Sequence, residues 1–225
     1  MRENKSEQKK RALLIVAAFK RLYPNAWCSL NYETPFQLLV ATILSAQCTD
    51  QAVNKLTPAL FSNYPNARAM AGATPRSLES LIHSSGFYKM KSKHLIQSSR
   101  LLVERFEGEV PRTMPALLLL PGVARKTANV VLYHAYGKTA GIAVDTHCMR
   151  ISWRLGLTSS RDNQNKIERE LMALLPRTSW GMYTNWMVSH GRKYCMARKP
   201  DCANCPLNPL CPKRFKGEKW AAMFA

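Results

Sequence analysis

The sequence predicts an all-α fold. Three observations carry that prediction. Apolar residues recur at three- and four-residue spacing along most of the chain, Thr-Pro pairs stand where helices would begin, and stretches of alternating polar and apolar residues are scarce. The 225 residues are enough for a sizeable core in one large or two small domains. A hydrophobic content of 46% with 21% charged residues belongs to a folded chain rather than a disordered one.

The elements run in order along the chain. The apolar run at 12–19 comes after Lys9, Lys10 and Arg11, which imitates a secretion signal. No small-residue cleavage site follows, Lys20 and Arg21 interrupt the pattern, and a membrane span needs about 20 apolar residues. The run reads as an amphipathic or buried first helix, in a monomer of the cytosol or bacterial nucleoid with no membrane partner. Thr34-Pro35 opens a helix carrying Phe36, Leu38, Leu39, Ile43 and Leu44. Thr74-Pro75 opens another with Leu78, Leu81 and Ile82. Leu95, Leu101, Leu102 and Phe106 mark a longer one that ends near Gly108. A short apolar helix at 116–119 meets a turn at Pro121-Gly122, and a second begins near Ala124 and carries Val130, Val131 and Leu132. Ile151, Trp153 and Leu155 follow Asp145, and Ile167, Leu171, Leu174 and Leu175 form a last stripe that Pro176 stops. Residues 141–144 are too few to build a sheet. Beyond Gly191 the chain becomes dense in cysteine, proline and basic residues.

The charge balance points to a polyanion. Lys and Arg number 33 against 14 Asp and Glu, a net charge of +19. Lys89, Lys91, Lys93 and Arg100 lie in an acid-free stretch at 80–103, and after Gly191 a further run of Lys and Arg meets only Asp201 and Glu218. Such clustering suits a nucleic-acid backbone.

Seven cysteines in a cytosolic chain argue for a cofactor over a disulfide framework. Cys195, Cys202, Cys205 and Cys211 follow the pattern C-x6-C-x2-C-x5-C. Four thiolates on short loops can hold tetrahedral zinc or an iron–sulfur cubane. Structural zinc sites usually offer two close pairs and this run has one, so the spacing favours a [4Fe–4S] cluster. Cys28, Cys48 and Cys148 read as small core residues in apolar helical surroundings.

The segment Leu120-Pro-Gly-Val-Ala-Arg-Lys-Thr-Ala-Asn129 carries the most chemistry. Amides at its turn and at the following helix N-terminus can bind a phosphate. Lys126 falls in the first turn of that helix, where the macrodipole disfavours a cation. A surface lysine gains nothing from the position. A catalytic amine gains, because neighbouring positive charge favours the neutral nucleophilic form. On this segment alone, nucleophile and phosphate anchor stand as equals. Asp145 is the lone carboxylate between Glu109 and Asp162. It reads as an N-cap, or as an acid that works with Lys126.

Together the hairpin L-P-G-V-A-R-K-T-A-N-V-V, the segment A-V-D-T-H, the cysteine tail and Leu44-Ser-Ala-Gln-Cys-Thr-Asp50 resemble endonuclease III, the bifunctional family of helix-hairpin-helix DNA glycosylases. The resemblance runs from about Arg21 to Cys211. It implies two all-α domains flanking a DNA-binding cleft. One is a six-helix barrel with the hairpin over residues 31–138, and the other is an iron–sulfur domain joining 1–30 to 139–225. It implies that Lys126 displaces a damaged base, an oxidised pyrimidine, from duplex DNA through a Schiff base, that Asp145 assists, and that β-elimination nicks the strand. The base must leave the stack first. Gln47 resembles the family's polar plug and Phe87 its apolar wedge. Gly122 and Ala124 fall in the phosphate-binding hairpin, and His147 would contact DNA near the flipped nucleotide. Taken alone, Phe87 reads as a core aromatic and Gln47 as a helix-surface residue.

The chain departs from the family pattern in three places. Ala124 replaces a second hairpin glycine, which costs about 1 kcal/mol if the position needs positive φ. Phe87 replaces a smaller leucine, and Cys48 stands where a small residue is usual. Two alternatives remain open. A mismatch adenine glycosylase lacks the hairpin lysine and adds a C-terminal domain, whereas little chain follows Cys211 here. A non-catalytic DNA-binding iron–sulfur protein would not require the Lys126–Asp145 pair.

Overall fold

Side chains set most of the helix starts. In the computed structural model, which describes residues 3–215, Asn4 caps α1 (Lys5–Leu22), Thr34 caps α2 (Pro35–Leu44) and Thr49 caps α3 (Asp50–Asn63). Asn66 caps α4 (Ala67–Ala71) and Thr74 caps α5 (Pro75–Ile82). In each, the side-chain oxygen accepts a first-turn amide that would otherwise be unpaired. A 3-10 turn (His83–Ser85) then leads to α6 (Tyr88–Phe106). α6, α7 (Met114–Leu117) and α8 (Arg125–Tyr136) begin without a side-chain cap. Asp145 caps α9 (Thr146–Arg154) and Asn163 caps α10 (Gln164–Leu174), while α11 (Arg177–Lys193) follows Pro176 uncapped. The described residues hold no strand, and no described helix is long and apolar enough to cross a membrane.

Two compact units result. One is Cys28–Ala140; the other joins the segment up to Trp27 to the chain from Gly141 onward. In the first unit α2 is the central element. Phe36 and every residue from Leu38 to Leu44 are buried, and a helix apolar on all sides belongs inside a core. Val53 and Leu60 of α3, Leu78 and Ile82 of α5, Leu95 and Leu102 of α6, and Val131 and Leu132 of α8 share that core. Each such side chain contributes about 1.5–3 kcal/mol by burial, so a charge at Leu39 would break the unit. The second unit gathers Ile15 and Phe19 of α1, Ile151 of α9, Leu171 of α10 and Tyr183 and Met187 of α11.

Three expectations need correction. The first hairpin helix runs Met114–Leu117, not 116–119, because Pro115 suits its first turn and the chain leaves the helix at Leu118. Leu118 and Leu119 are exposed. Cys28 and Cys48 are half-buried loop residues, and Cys148 alone of the three is a buried helical one. Lys91, a member of the basic stretch at 80–103, is buried.

Candidate functional site

The hairpin turn rests on α6. Ser98 Oγ donates to the Pro121 carbonyl at 2.6 Å. Gly122 has φ +80°, which favours glycine, and a Cβ built there would lie 3.0 Å from His94 Cβ, a contact that would press on that side chain. Val123 and Leu120 are buried beneath the turn. Ala124 has φ −92° and ψ 171°, an extended conformation that alanine adopts without strain. The departure from glycine therefore costs the turn nothing. Alanine also offers no side chain to cap α8. The amides of Lys126 and Thr127 consequently have no hydrogen-bond partner among the described residues. Lys126 is the second residue of α8 and is exposed beside Arg125. This end of the hairpin presents unpaired amides, a helix's positive pole and two cations, a combination that attracts phosphate.

Gln47 and Phe87 lie in the same unit. Gln47, exposed in the loop after α2, has φ 53°, so it is not a helix-surface residue. Phe87 has φ 48° and is 68% exposed, so it is not a core aromatic. A left-handed conformation costs a non-glycine residue about 1 kcal/mol. Both loops therefore hold residues in strained conformations at the surface. Lys91 joins them: its Nζ donates to the Leu44 carbonyl at 2.8 Å and to the Ser85 carbonyl at 2.7 Å. Burial lowers the Lys91 ammonium below the usual lysine range.

In the other unit Asp145 Oδ1 accepts the Cys148 amide at 2.7 Å. Its Oδ2 has no hydrogen bond among the described residues. His147, in the first turn of α9, places Nδ1 3.1 Å from an Arg150 guanidinium nitrogen. A Cβ at Gly191 would lie 2.3 Å from His147 Nδ1, so any other residue there would displace the His147 side chain.

All four tail cysteines line one pocket with about 380 Å³ of empty space, part of it open to solvent. None is in a disulfide. Donors surround the sulfurs. Arg154, 1% exposed, places a guanidinium nitrogen 3.4 Å from Cys195 Sγ and donates to the Met196 and Ala197 carbonyls. The Lys213 amide lies 3.4 Å from Cys211 Sγ. His190 Nε2 lies 3.5 Å from Cys205 Sγ, and burial lowers the pKa of that histidine to about 4. Burial raises the thiols of Cys195, Cys205 and Cys211 above the usual range, and each is raised further by the neighbouring cysteines. Among the described residues, no three His, Cys, Asp or Glu side chains converge as ligands of a single metal ion would. The loop between Cys195 and Cys202 closes through Asp201 N to Tyr194 O at 2.8 Å, leaving Arg198 and Lys199 exposed.

The sequence reading missed Lys91, Arg150 and Arg154. The signal for Lys91 was its phase: Lys91, Leu95, Ser98 and Leu102 share one buried stripe of α6. Arg150 and Arg154 are likewise four apart on α9. Both reach the cysteine loop, Arg150 through the Cys195 carbonyl at 3.1 Å.

The comparisons with known proteins agree with one another. Residues 40–177 match the HhH-GPD superfamily base excision DNA repair protein. The chain is 55% identical to the endonuclease III of Synechocystis, over 92% of this chain and 94% of that protein. It is 38% identical to the endonuclease III of Escherichia coli K12, over 92% and 98%. Among solved structures, a trapped endonuclease III–DNA covalent intermediate superposes with a TM-score of 0.85 at 39% identity, covering 91% of this chain and 96% of that one.

Proposed function

The chain belongs to the HhH-GPD superfamily of base excision DNA repair proteins, and on that premise we propose how its residues divide the work. It is a base-excision repair DNA glycosylase with abasic-site lyase activity, acting on damaged duplex DNA. The observation that carries the residue-level reading is the uncapped start of α8, with Lys126 exposed on it.

Phosphate of the damaged strand binds the turn at Gly122 and the amides of Lys126 and Thr127. Phe87 enters the stack as a wedge, and Gln47 faces the base left without a partner. The neutral Lys126 amine attacks C1′ of an oxidised pyrimidine nucleoside. The N-glycosidic bond breaks and the base leaves with the electron pair, taking a proton. Asp145 assists by accepting the lysine's proton or by balancing positive charge on the sugar; its unengaged Oδ2 supports this role. The sugar ring opens as the imine forms. Loss of a C2′ proton then expels the 3′ phosphate oxygen, and water releases Lys126. His147 contacts DNA near the displaced nucleotide.

Cys195, Cys202, Cys205 and Cys211 would hold a [4Fe–4S] cluster. The shared pocket, the absence of disulfides and the donors on the sulfurs fit an anionic group ligated by thiolates. Such a cluster would cross-link the loop bearing Arg198 and Lys199, which then meets DNA phosphate. Purified protein is expected to carry about four irons and four sulfides per chain; one zinc without iron would contradict the assignment. The protein works in the cytoplasm, at the nucleoid of a bacterial cell. The reading as a whole is tested by borohydride trapping on abasic duplex DNA. Wild type is expected to form a covalent adduct and Lys126→Gln none; equal trapping of the two removes Lys126 from its role.

A further inference from the structure

Lys91 takes no part in the excision chemistry, yet its setting is costly. It is 4% exposed, and no carboxylate pairs with it among the described residues. An ammonium buried without a counter-ion is unfavourable, and a methionine of similar length would pack there without that cost. The lysine supplies three N–H donors. Two are used on the Leu44 and Ser85 carbonyls. Leu44 is the last residue of α2, and Ser85 is the last of the 3-10 turn. Helix C-terminal carbonyls have no partner within their helix and favour a cation.

The residues just beyond each carbonyl matter more. Gln47, at φ 53°, comes three residues after Leu44. Phe87, at φ 48°, comes two residues after Ser85, past Gly86 at φ 69°. The Lys91 amide also donates to the Phe87 carbonyl at 3.0 Å. The Lys91 side chain thus grips the second loop at Ser85 and the first at its root, Leu44, while its backbone amide ties Phe87 to the start of α6. Left-handed non-glycine residues persist only where their surroundings hold them.

We propose that Lys91 is a positioning residue that clips the Gln47 and Phe87 loops to each other, so that plug and wedge enter the duplex as one rigid pair. This rests on the reading of Gln47 and Phe87 as DNA-probing residues.

The test uses Lys91→Met, which keeps most of the length and removes the donors, beside Gln47→Ala and Phe87→Ala. Hydrogen exchange is followed at residues 45–48 and 85–88. Excision is followed on a lesion duplex with each of the four opposite bases. Trapping is followed on an abasic single strand, where no base is displaced and no gap is filled. Lys91→Met is expected to speed exchange in both loops together and to lower kcat/KM on the duplex about tenfold, since small misplacements are costly. It is also expected to flatten the opposite-base preference while leaving single-strand trapping within about twofold of wild type. Were Gln47→Ala and Phe87→Ala to excise as wild type, the reading of those residues would fail, and loop exchange would still judge the clip. Were those two impaired while Lys91→Met excised normally, or only one loop loosened, the clip would be overturned. If Lys91→Met does not fold, Lys91→Gln, which matches methionine in reach but keeps a donor, is read by the same measurements. Global unfolding of both would make Lys91 a support of the whole core and overturn the proposal.

Discussion

Helices α8 and α9 begin in opposite ways. α8 starts at Ala124, with no capping side chain and with Arg125 and Lys126 on its positive pole. α9 starts at Asp145, whose carboxylate closes the first turn at 2.7 Å. The first arrangement works against the helix by about 0.3–1 kcal/mol per cation, and the second stabilises its helix by a similar amount. A chain that caps α1 to α5 with Asn or Thr could have capped α8 in the same manner. Leaving α8 open suits an anion that arrives from outside. Closing α9 with an acid, where asparagine would cap as well, leaves a carboxylate available for chemistry.

Mutations at the two starts can break this comparison, beginning with the largest expected effect. Lys126→Gln is expected to lower lyase turnover at least ~1000-fold, since it removes the reacting atom itself. A fall of only a few-fold, measured by strand nicking, would make Lys126 a phosphate anchor. Asp145→Asn separates capping from catalysis. Asparagine caps as well as aspartate, so thermal unfolding should place stability within about 0.5 kcal/mol of wild type. Excision should nevertheless fall by roughly 100-fold. Equal losses of stability and activity would leave Asp145 a cap and nothing more. Ala124→Ser gives α8 the cap that Thr34 gives α2. Stability is expected to rise by about 1 kcal/mol, and DNA affinity in a filter or fluorescence assay to fall several-fold, because the serine oxygen would occupy an amide meant for phosphate. Tighter binding would mean that the open amides are not the grip.

Much of this was legible in the sequence because it is local. A threonine before a proline specifies a helix start with no help from the rest of the chain, and α2 and α5 begin where Thr34-Pro35 and Thr74-Pro75 place them. The hairpin glycine and the four-cysteine spacing are local in the same sense. The length of α7 was misjudged because apolar Leu118 and Leu119 extend the pattern past the end of the helix, onto an exposed turn. The left-handed backbones of Gln47 and Phe87 were illegible, because neither residue type requires φ > 0 and the nearby carbonyls of Leu44 and Ser85 are joined only through Lys91, 44 residues from Gln47 in sequence and buried by tertiary packing. The cost at Ala124 hung on its backbone angle, which the sequence did not give. A glycine usual at that position suggested positive φ, yet the backbone there is extended. Arg154 was hidden for a related reason: a charged residue reads as surface until its partners, here a thiol and two carbonyls of a distant loop, are seen.

The central claim is that the open start of α8 presents Lys126 to the sugar. The most direct measurement is mass-spectrometric mapping of the borohydride-reduced adduct between the wild-type protein and abasic duplex DNA. The account predicts the sugar remnant on the peptide containing Lys126. A remnant on Lys91, Lys138 or any other amine, with Lys126 unmodified, would contradict it.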